Sequence, residues 1–187
     1  MRITAGKYKN KIVKCPKGVI RPAMEKMRIS LFSILKNDLS GLEFLDLFSG
    51  SGCMAIEAAS RGAKKIVAVE KDFGKKKTIL DNLSYVEEEK KLYICDVYNY
   101  IKRFRNKESF DIIYLDPPFD MQEKVKLINI IANTLLLKDD GIIIIHYPEE
   151  DEKEFENIDL KLMKVDERKY GRSHLKFFKQ REASENG

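Results

Sequence analysis

From residue 43 onward the apolar residues come in short unbroken runs separated by amphipathic stretches. Ile66-Val67-Ala68-Val69, Ile112-Ile113-Tyr114-Leu115 and Ile142 to Ile145 contain no charged position. A strand with one face in water would alternate, so unbroken runs mark parallel strands covered on both faces. The pattern predicts strands at 43–47, 65–69, 91–95, 110–115 and 140–146, with helices at 52–61, 73–84, 97–105 and 121–136. Regular strand–helix alternation predicts an α/β fold, a Rossmann-like doubly wound sheet with right-handed crossovers. Two further strands, 160–166 and 174–179, suit a terminal antiparallel hairpin at the sheet edge, which brings the count to seven.

Before residue 43 the pattern is shorter-ranged. Arg2 to Ala5 and Lys11 to Cys15 flank a Gly6-to-Asn10 turn and predict a small β-hairpin with its lysines outward. Pro16, Gly18 and Pro22 interrupt the chain, and Met24, Met27, Leu31, Ile34 and Leu35 then share one face of a helix. Residues 1–22 therefore read as a basic hairpin extension, 23–180 as one catalytic-type domain and 181–187 as a disordered tail. Glu149 to Asp159 is an acidic run, a helix or a solvated connection.

Length and composition narrow the class. The 187 residues, 43% hydrophobic and 35% charged, suffice for one domain with a core and a heavily charged surface. No apolar run approaches a membrane span and the N-terminus lacks a signal peptide's apolar centre, so the expected location is cytoplasmic. Cys15, Cys53 and Cys95 are widely spaced and odd in number, which fits neither a disulfide framework nor a zinc site. They read as small core or half-buried residues, and no metal is expected. Charge is uneven. Residues 1–28 carry nine Lys/Arg against one acid, Glu25, while the whole chain has a formal net charge of only +5. A basic segment on a slightly acidic body suits contact with a phosphate backbone. Arg2, Lys7, Lys9, Arg21 and Arg28 are the candidates there, with Arg168, Tyr170 and Arg172 on the last loop.

The chemistry gathers at strand ends. Phe44 to Leu47 runs into Phe48-Ser49-Gly50-Ser51-Gly52 and then into good helix formers, a strand–loop–helix unit of the nucleotide-cofactor type. Gly50-x-Gly52-x-x-Ala55 alone would also admit a dinucleotide. Asp46, four positions before Gly50, argues otherwise, because a carboxylate beside a pyrophosphate is repulsive. It suits the ammonium and sulfonium of S-adenosylmethionine, although a loop acceptor for backbone N–H groups is the plainer role. Glu70 ends the second strand, where a carboxylate can take a ribose diol, with Lys71 following it. Asp96 ends the third strand and can accept from an adenine amine, with the Val97 N–H as donor; it also suits a helix N-cap. Asp116-Pro117-Pro118-Phe119 ends the fourth. Two prolines remove N–H donors, which leaves the Asp116 carboxylate and the Pro117 carbonyl as acceptors beside the Phe119 ring. That set receives a planar amine.

Asp46 to Gly52 together with Asp116-Pro117-Pro118-Phe119 resembles the S-adenosylmethionine-dependent amino-methyltransferases that carry a (D/N)PP(Y/F) motif. Arg2-Ile3-x-Ala5-Gly6-Lys7-Tyr8, Arg21-Pro22, Arg28, Leu31-Phe32, Ile56-Glu57-Ala58, Ser60-Arg61-Gly62-Ala63 and Tyr170-Gly171 resemble the bacterial 16S rRNA guanine-N2 methyltransferases of the RsmD type. The resemblance spans roughly residues 1–180. It implies a seven-stranded methyltransferase sheet, S-adenosylmethionine as cofactor and S-adenosylhomocysteine as product. It also implies a monomer acting on 16S ribosomal RNA or a small-subunit particle. Asp46, Phe48, Ser49, Gly50, Gly52, Glu70, Lys71, Asp96, Val97 and Asp116 would hold the cofactor, and Asp116, Pro117 and Phe119 would act on the base. The chain departs from the family pattern at Ile20, Ala23, Ser49 and Phe119, where the family usually has Thr, Thr, Ala and Tyr.

Other readings share some of these residues. The acceptor pair also suits DNA adenine N6, a protein glutamine or a different RNA guanine. The glycine loop admits a nicotinamide-dependent dehydrogenase, against which Asp46 and the Asp-Pro-Pro-Phe turn argue. A non-catalytic RNA-binding protein on the same scaffold is the third. His146 and His174, at strand ends, are expected to be structural.

Overall fold

The computed structural model describes residues 1–17 and 25–182. Arg21, the boundary expected at residue 22 and most of the expected tail lie outside the described residues. The chain divides into two compact units, Met1–Lys102 and Arg103–Gly187.

In the first unit β1 (Glu43–Asp46), β2 (Lys65–Glu70) and β3 (Glu89–Ile94) run parallel, with β2 central. Phe44, Leu45, Val67 and Val69 are fully buried, as their unbroken apolar runs require, and each such side chain contributes about 1.5–3 kcal/mol. The helices are α1 (Glu25–Ile34), α2 (Cys53–Ser60), α3 (Lys76–Leu83) and α4 (Val97–Phe104), the last ending just inside the second unit. Residues Phe73–Lys75, expected as the first turn of α3, form a 3₁₀ turn instead. Asp72 caps it by accepting the Gly74 N–H at 2.9 Å.

In the second unit β4 (Phe110–Leu115) and β5 (Leu137–Pro148) are parallel, whereas β7 (Ser173–Gln180) is antiparallel to both β5 and β6 (Leu162–Tyr170). The strand order is β3-β2-β1 in the first unit and β4-β5-β7-β6 in the second. β6, an edge strand, carries Lys164, Asp166, Glu167 and Arg168 and a register shift after Lys164, both of which discourage pairing with another chain. The acidic run becomes a 3₁₀ helix, Glu149–Asn157. α5 spans Lys124–Ala132 rather than 121–136. Its start is delayed because the Lys124 ammonium takes the carbonyls of Phe119 (3.0 Å) and Met121 (2.6 Å), which helix N–H groups would otherwise use. No helix among the described residues is long and apolar enough to cross a membrane.

The N-terminal segment is a short, irregular hairpin: beside the antiparallel bridge of Arg2 to Ile12, Ile3 N–H donates to the Lys11 carbonyl at 3.0 Å, Asn10 N–H to the Ile3 carbonyl at 2.9 Å and Val13 N–H to the Met1 carbonyl at 2.8 Å. Its turn is also bonded to α2. The Ser60 hydroxyl donates to the Ala5 carbonyl and accepts the Tyr8 N–H at 2.9 Å, while the Lys7 N–H donates to the Ser60 carbonyl at 2.8 Å. Gly6 has φ +83°, and a Cβ there would lie 1.8 Å from the Ser60 carbonyl oxygen. Only glycine fits.

Beneath this contact every residue of α2 is buried, Glu57 included. The Glu57 carboxylate accepts the Thr4 N–H at 3.0 Å and the Thr4 hydroxyl at 3.0 Å, and it pairs with Arg28 Nε at 3.3 Å and with Arg61 Nη1. Arg28 Nη2 donates to the Arg2 carbonyl at 3.0 Å, and Arg61 lies 4.3 Å over the Phe32 ring. A buried carboxylate with two guanidiniums and full hydrogen bonding fastens the first residues, α1 and α2 together. Burial pushes the Cys53 thiol up to about 12, so it is no nucleophile. Cys95 is half-buried, but Cys15, expected in the same class, is exposed.

Candidate active site

The first unit presents its chemistry at the C-terminal ends of β1, β2 and β3. Asp46 closes β1 and is 1% exposed. The loop after it turns through Gly50 at φ +60° and Gly52 at φ +83°, and Gly52 caps α2. Glu70, at the end of β2, reaches back to this loop. Its Oε2 accepts the Gly50 N–H at 2.9 Å and its Oε1 accepts the Asp72 N–H at 2.9 Å, with Lys75 Nζ 3.9 Å away. Each oxygen keeps a lone pair for a hydroxyl. Cys95 N–H donates to the Glu70 carbonyl at 3.0 Å, which sets Asp96 beside the end of β2. Asp96 is exposed, and its Oδ1 accepts the Tyr98 N–H at 2.8 Å; it is therefore a helix cap that keeps its second oxygen. Phe48 is half-buried, Val97 is buried and Lys71 is exposed.

Two observations bear on whether S-adenosylmethionine fits this rim. A Cβ built on Gly50 would meet nothing within 4 Å, so the loop backbone faces open space. The Ser49 hydroxyl is buried without a hydrogen-bond partner, a state that costs about 1–3 kcal/mol until a partner arrives. Both features suit a polar ligand lying against the loop. Asn82 of α3 is a residue that the sequence pattern did not single out. Its amide donates to the carbonyls of Ser51 (2.9 Å) and Lys14 (2.8 Å), and so holds the glycine loop and the N-terminal segment together.

The second unit carries the acceptor turn. Asp116 follows β4 with its side chain 19% exposed, and its Oδ1 lies 2.8 Å from Nδ1 of His146, at the end of β5. Pro117 is buried, Pro118 exposed and Phe119 half-buried. The Phe119 ring meets the His146 ring edge-on, with centroids 5.4 Å apart at 71°. Past Phe119, Lys124 is fully buried. Besides the Phe119 and Met121 carbonyls its ammonium binds Asp151 Oδ2 at 2.5 Å, and Glu123 before it sits at φ +62°. A non-glycine residue in that region signals a constrained backbone. His146 was expected to be structural, yet it touches both Asp116 and Phe119. The register carried the signal: Leu115 pairs with Ile145 in parallel, so the two following residues are neighbours.

The basic residues are dispersed. Arg2 and Lys9 are exposed. Lys7 is exposed but bonded to Glu87 at 2.6 Å and Glu88 at 3.1 Å, which hold its ammonium above the usual lysine range. Arg28, read as an RNA contact, is 2% exposed and committed to Glu57; it is withdrawn from that surface. Arg168 pairs with Asp166, and Arg172 with Glu149 and Glu150. Tyr170 is half-buried before the two-residue turn at Gly171-Arg172. Among the described residues Glu152, Glu167 and His174 bring metal-ligand-type atoms within 4.8 Å of one another. The Lys176 ammonium already stands on Glu152 as the local cation.

A family model described as "Conserved hypothetical protein 95" matches residues 1–179. The chain belongs to this family, that of the RsmD-type methyltransferases. Its relatives include YlbH of Bacillus subtilis, 32% identical over 154 residues, which span 80% of this chain and 84% of YlbH. Ribosomal RNA small subunit methyltransferase D of Haemophilus influenzae is 30% identical over 129 residues, 67% of each chain. Among solved structures, yhhF of Escherichia coli aligns with a TM-score of 0.84 over 98% of this chain and 99% of its own, at 23% identity. The RsmD-type fold, a seven-stranded mixed methyltransferase sheet, is thus the fold of this chain. The motif residues divide in two: Ala5, Gly6, Glu57, Ser60 and Arg61 build the internal lock, and Asp46 and Asp116 stand at strand ends.

Proposed function

We propose that this protein transfers a methyl group from S-adenosylmethionine to the exocyclic N2 amine of a guanine in 16S ribosomal RNA. The observation that carries the reading is the Asp116 carboxylate, held at the end of β4 with the Pro117 carbonyl and the Phe119 ring following it. The names of the curated relatives support RNA of the small subunit as substrate. The protein would act as a cytoplasmic monomer, on free 16S RNA or on an assembling particle.

The first unit is assigned the cofactor. Asp46 would receive its ammonium, Glu70 its ribose hydroxyls and Asp96 its adenine amine, with Phe48, Ser49, Gly50, Gly52, Lys71 and Val97 around them. When bound, S-adenosylmethionine supplies an electrophilic methyl group on a sulfonium leaving group. The second unit is assigned the base. The guanine amine is a poor nucleophile because its lone pair is delocalised into the ring. Asp116 and the Pro117 carbonyl accept its two N–H groups, which orients the lone pair and favours a pyramidal nitrogen. As the nitrogen gains its new bond and becomes cationic, Asp116 takes the surplus proton. Phe119 replaces the stacking that the base loses on leaving its helix. Exposed Arg2 and Lys9, with Lys7, Arg21 and the β6–β7 turn, are assigned to phosphates.

The test is transfer of labelled methyl from S-adenosylmethionine to DNA, free 16S RNA and small subunits in parallel. The reading expects labelling of small-subunit RNA only, and none with Asp116→Ala, whose cofactor affinity stays within a few-fold. Near-normal turnover by Asp116→Ala would overturn the role of the carboxylate, and labelling of DNA would overturn the substrate.

A further inference from the structure

We infer that His146 is the positioning residue of the acceptor carboxylate, which it locks in one rotation by a hydrogen bond from Nδ1 to Asp116 Oδ1. The inference rests on the reading of Asp116 as the group that receives the amine. A carboxylate at a strand end has a broad torsion about its last bond, and two acceptors aimed at two N–H groups tolerate little rotation. The parallel register that pairs Leu115 with Ile145 places Asp116 and His146 side by side, and the Nδ1 to Oδ1 separation is 2.8 Å. An ionised carboxylate only accepts, so the hydrogen of this bond lies on Nδ1. This occupies a lone pair on Oδ1 and leaves Oδ2 to the substrate.

The imidazole cannot easily turn away. His146 is 3% exposed, and its cross-strand neighbour Leu175 on β7 is fully buried. The edge-on contact with Phe119 packs the imidazole against the ring that would stack on the base. Nε2 is buried without a hydrogen-bond partner. A histidine kept only for packing could be replaced there by an apolar residue, which would avoid the cost of an unsatisfied buried ring nitrogen. The Nδ1–H donor is what an apolar residue would lose.

The experiment is steady-state methyl transfer from S-adenosylmethionine to small subunits by the wild type and by Asp116→Ala, His146→Leu, His146→Asn and His146→Val. The asparagine amide places an N–H donor close to where Nδ1 stands, whereas leucine and valine have none. His146→Asn should keep kcat within ~3-fold, while His146→Leu and His146→Val should lose ~10- to 100-fold in kcat, the scale of a misplacement of about 1 Å. KM for the RNA and affinity for S-adenosylhomocysteine should be unchanged in all three. If His146→Leu does not fold, the asparagine–valine pair decides alone. Equal loss in His146→Asn and His146→Val would overturn the inference and leave a packing role, as would wild-type kcat in His146→Leu. If instead Asp116→Ala turns over normally, the underlying reading fails whatever the histidine variants do.

Discussion

Glu57→Gln removes one negative charge from the most enclosed ionic cluster among the described residues. Glu57 is fully buried, and the side chains of Arg28 and Arg61 are each 2% exposed. In the wild type the carboxylate offers acceptors to both guanidiniums and to Thr4. Glutamine keeps one oxygen and turns an NH₂ group toward the same donors. Two buried guanidiniums then lose the carboxylate that they share, a loss of about 3–5 kcal/mol. At roughly 2–4 °C per kcal/mol for a chain of this size, Tm should fall by roughly 6–20 °C. The assay is denaturant unfolding read alongside a thermal scan. The N-terminal segment should also become more susceptible to proteolysis, because the Thr4 N–H and hydroxyl lose their ionised acceptor. A variant within ~1 kcal/mol of the wild type, with an equally protected N-terminus, would refute the claim that this cluster fastens the arm.

Three other outcomes follow from the geometry. Phe119→Ala should lower kcat/KM by roughly 5- to 150-fold, the equivalent of about 1–3 kcal/mol of stacking, whereas Phe119→Tyr should be nearly silent because the ring face is kept; equal effects would argue against stacking. Arg2→Ala combined with Lys9→Ala should weaken RNA binding and flatten its dependence on salt, by about 0.7–0.9 in log–log slope for each phosphate that is no longer neutralised; truncation is a poorer test because Thr4 is part of the lock. Although burial works to raise it, the Glu152 carboxyl is held below the usual carboxylate range by hydrogen bonds from Lys176 and Tyr147. A depressed value stabilises the fold above pH ~4.5 and is lost as pH falls through the folded value. Lys176→Met should therefore lose less stability than the wild type between pH ~5 and pH ~3 in urea titrations, and an identical acid profile would refute the pairing.

The sheet was legible because its inner strands are apolar on both faces. Runs such as Ile142 to Ile145 need no alternation to be recognised, and their ends then locate Asp46, Glu70, Asp96 and Asp116. Long-range polar contacts were not legible. Arg28 counted as one more basic residue near the N-terminus, since a charge tally does not show that its counter-ion sits in α2. A hint was present: Glu57 is an acid within an otherwise apolar and small-residue stretch, four positions before Arg61, which is the mark of a buried ion pair. The start of α5 was misplaced because Lys124 binds carbonyls that propensity assigns to the helix. His146 was set aside as a lone histidine, and only the strand register makes it the neighbour of Asp116. The N-terminal hairpin was legible from its turn, but not its docking, because the bonds from Thr4, Lys7 and Tyr8 to Glu57 and Ser60 are long-range.

The central claim, methylation of a guanine N2 amine by way of Asp116, is tested most directly by nucleoside mass spectrometry. Small-subunit RNA is treated with the protein and S-adenosylmethionine, digested and separated against authentic standards. The account predicts N2-methylguanosine from the wild type and none from Asp116→Ala. A methylated adenosine or cytidine, or N2-methylguanosine formed equally by Asp116→Ala, would contradict it.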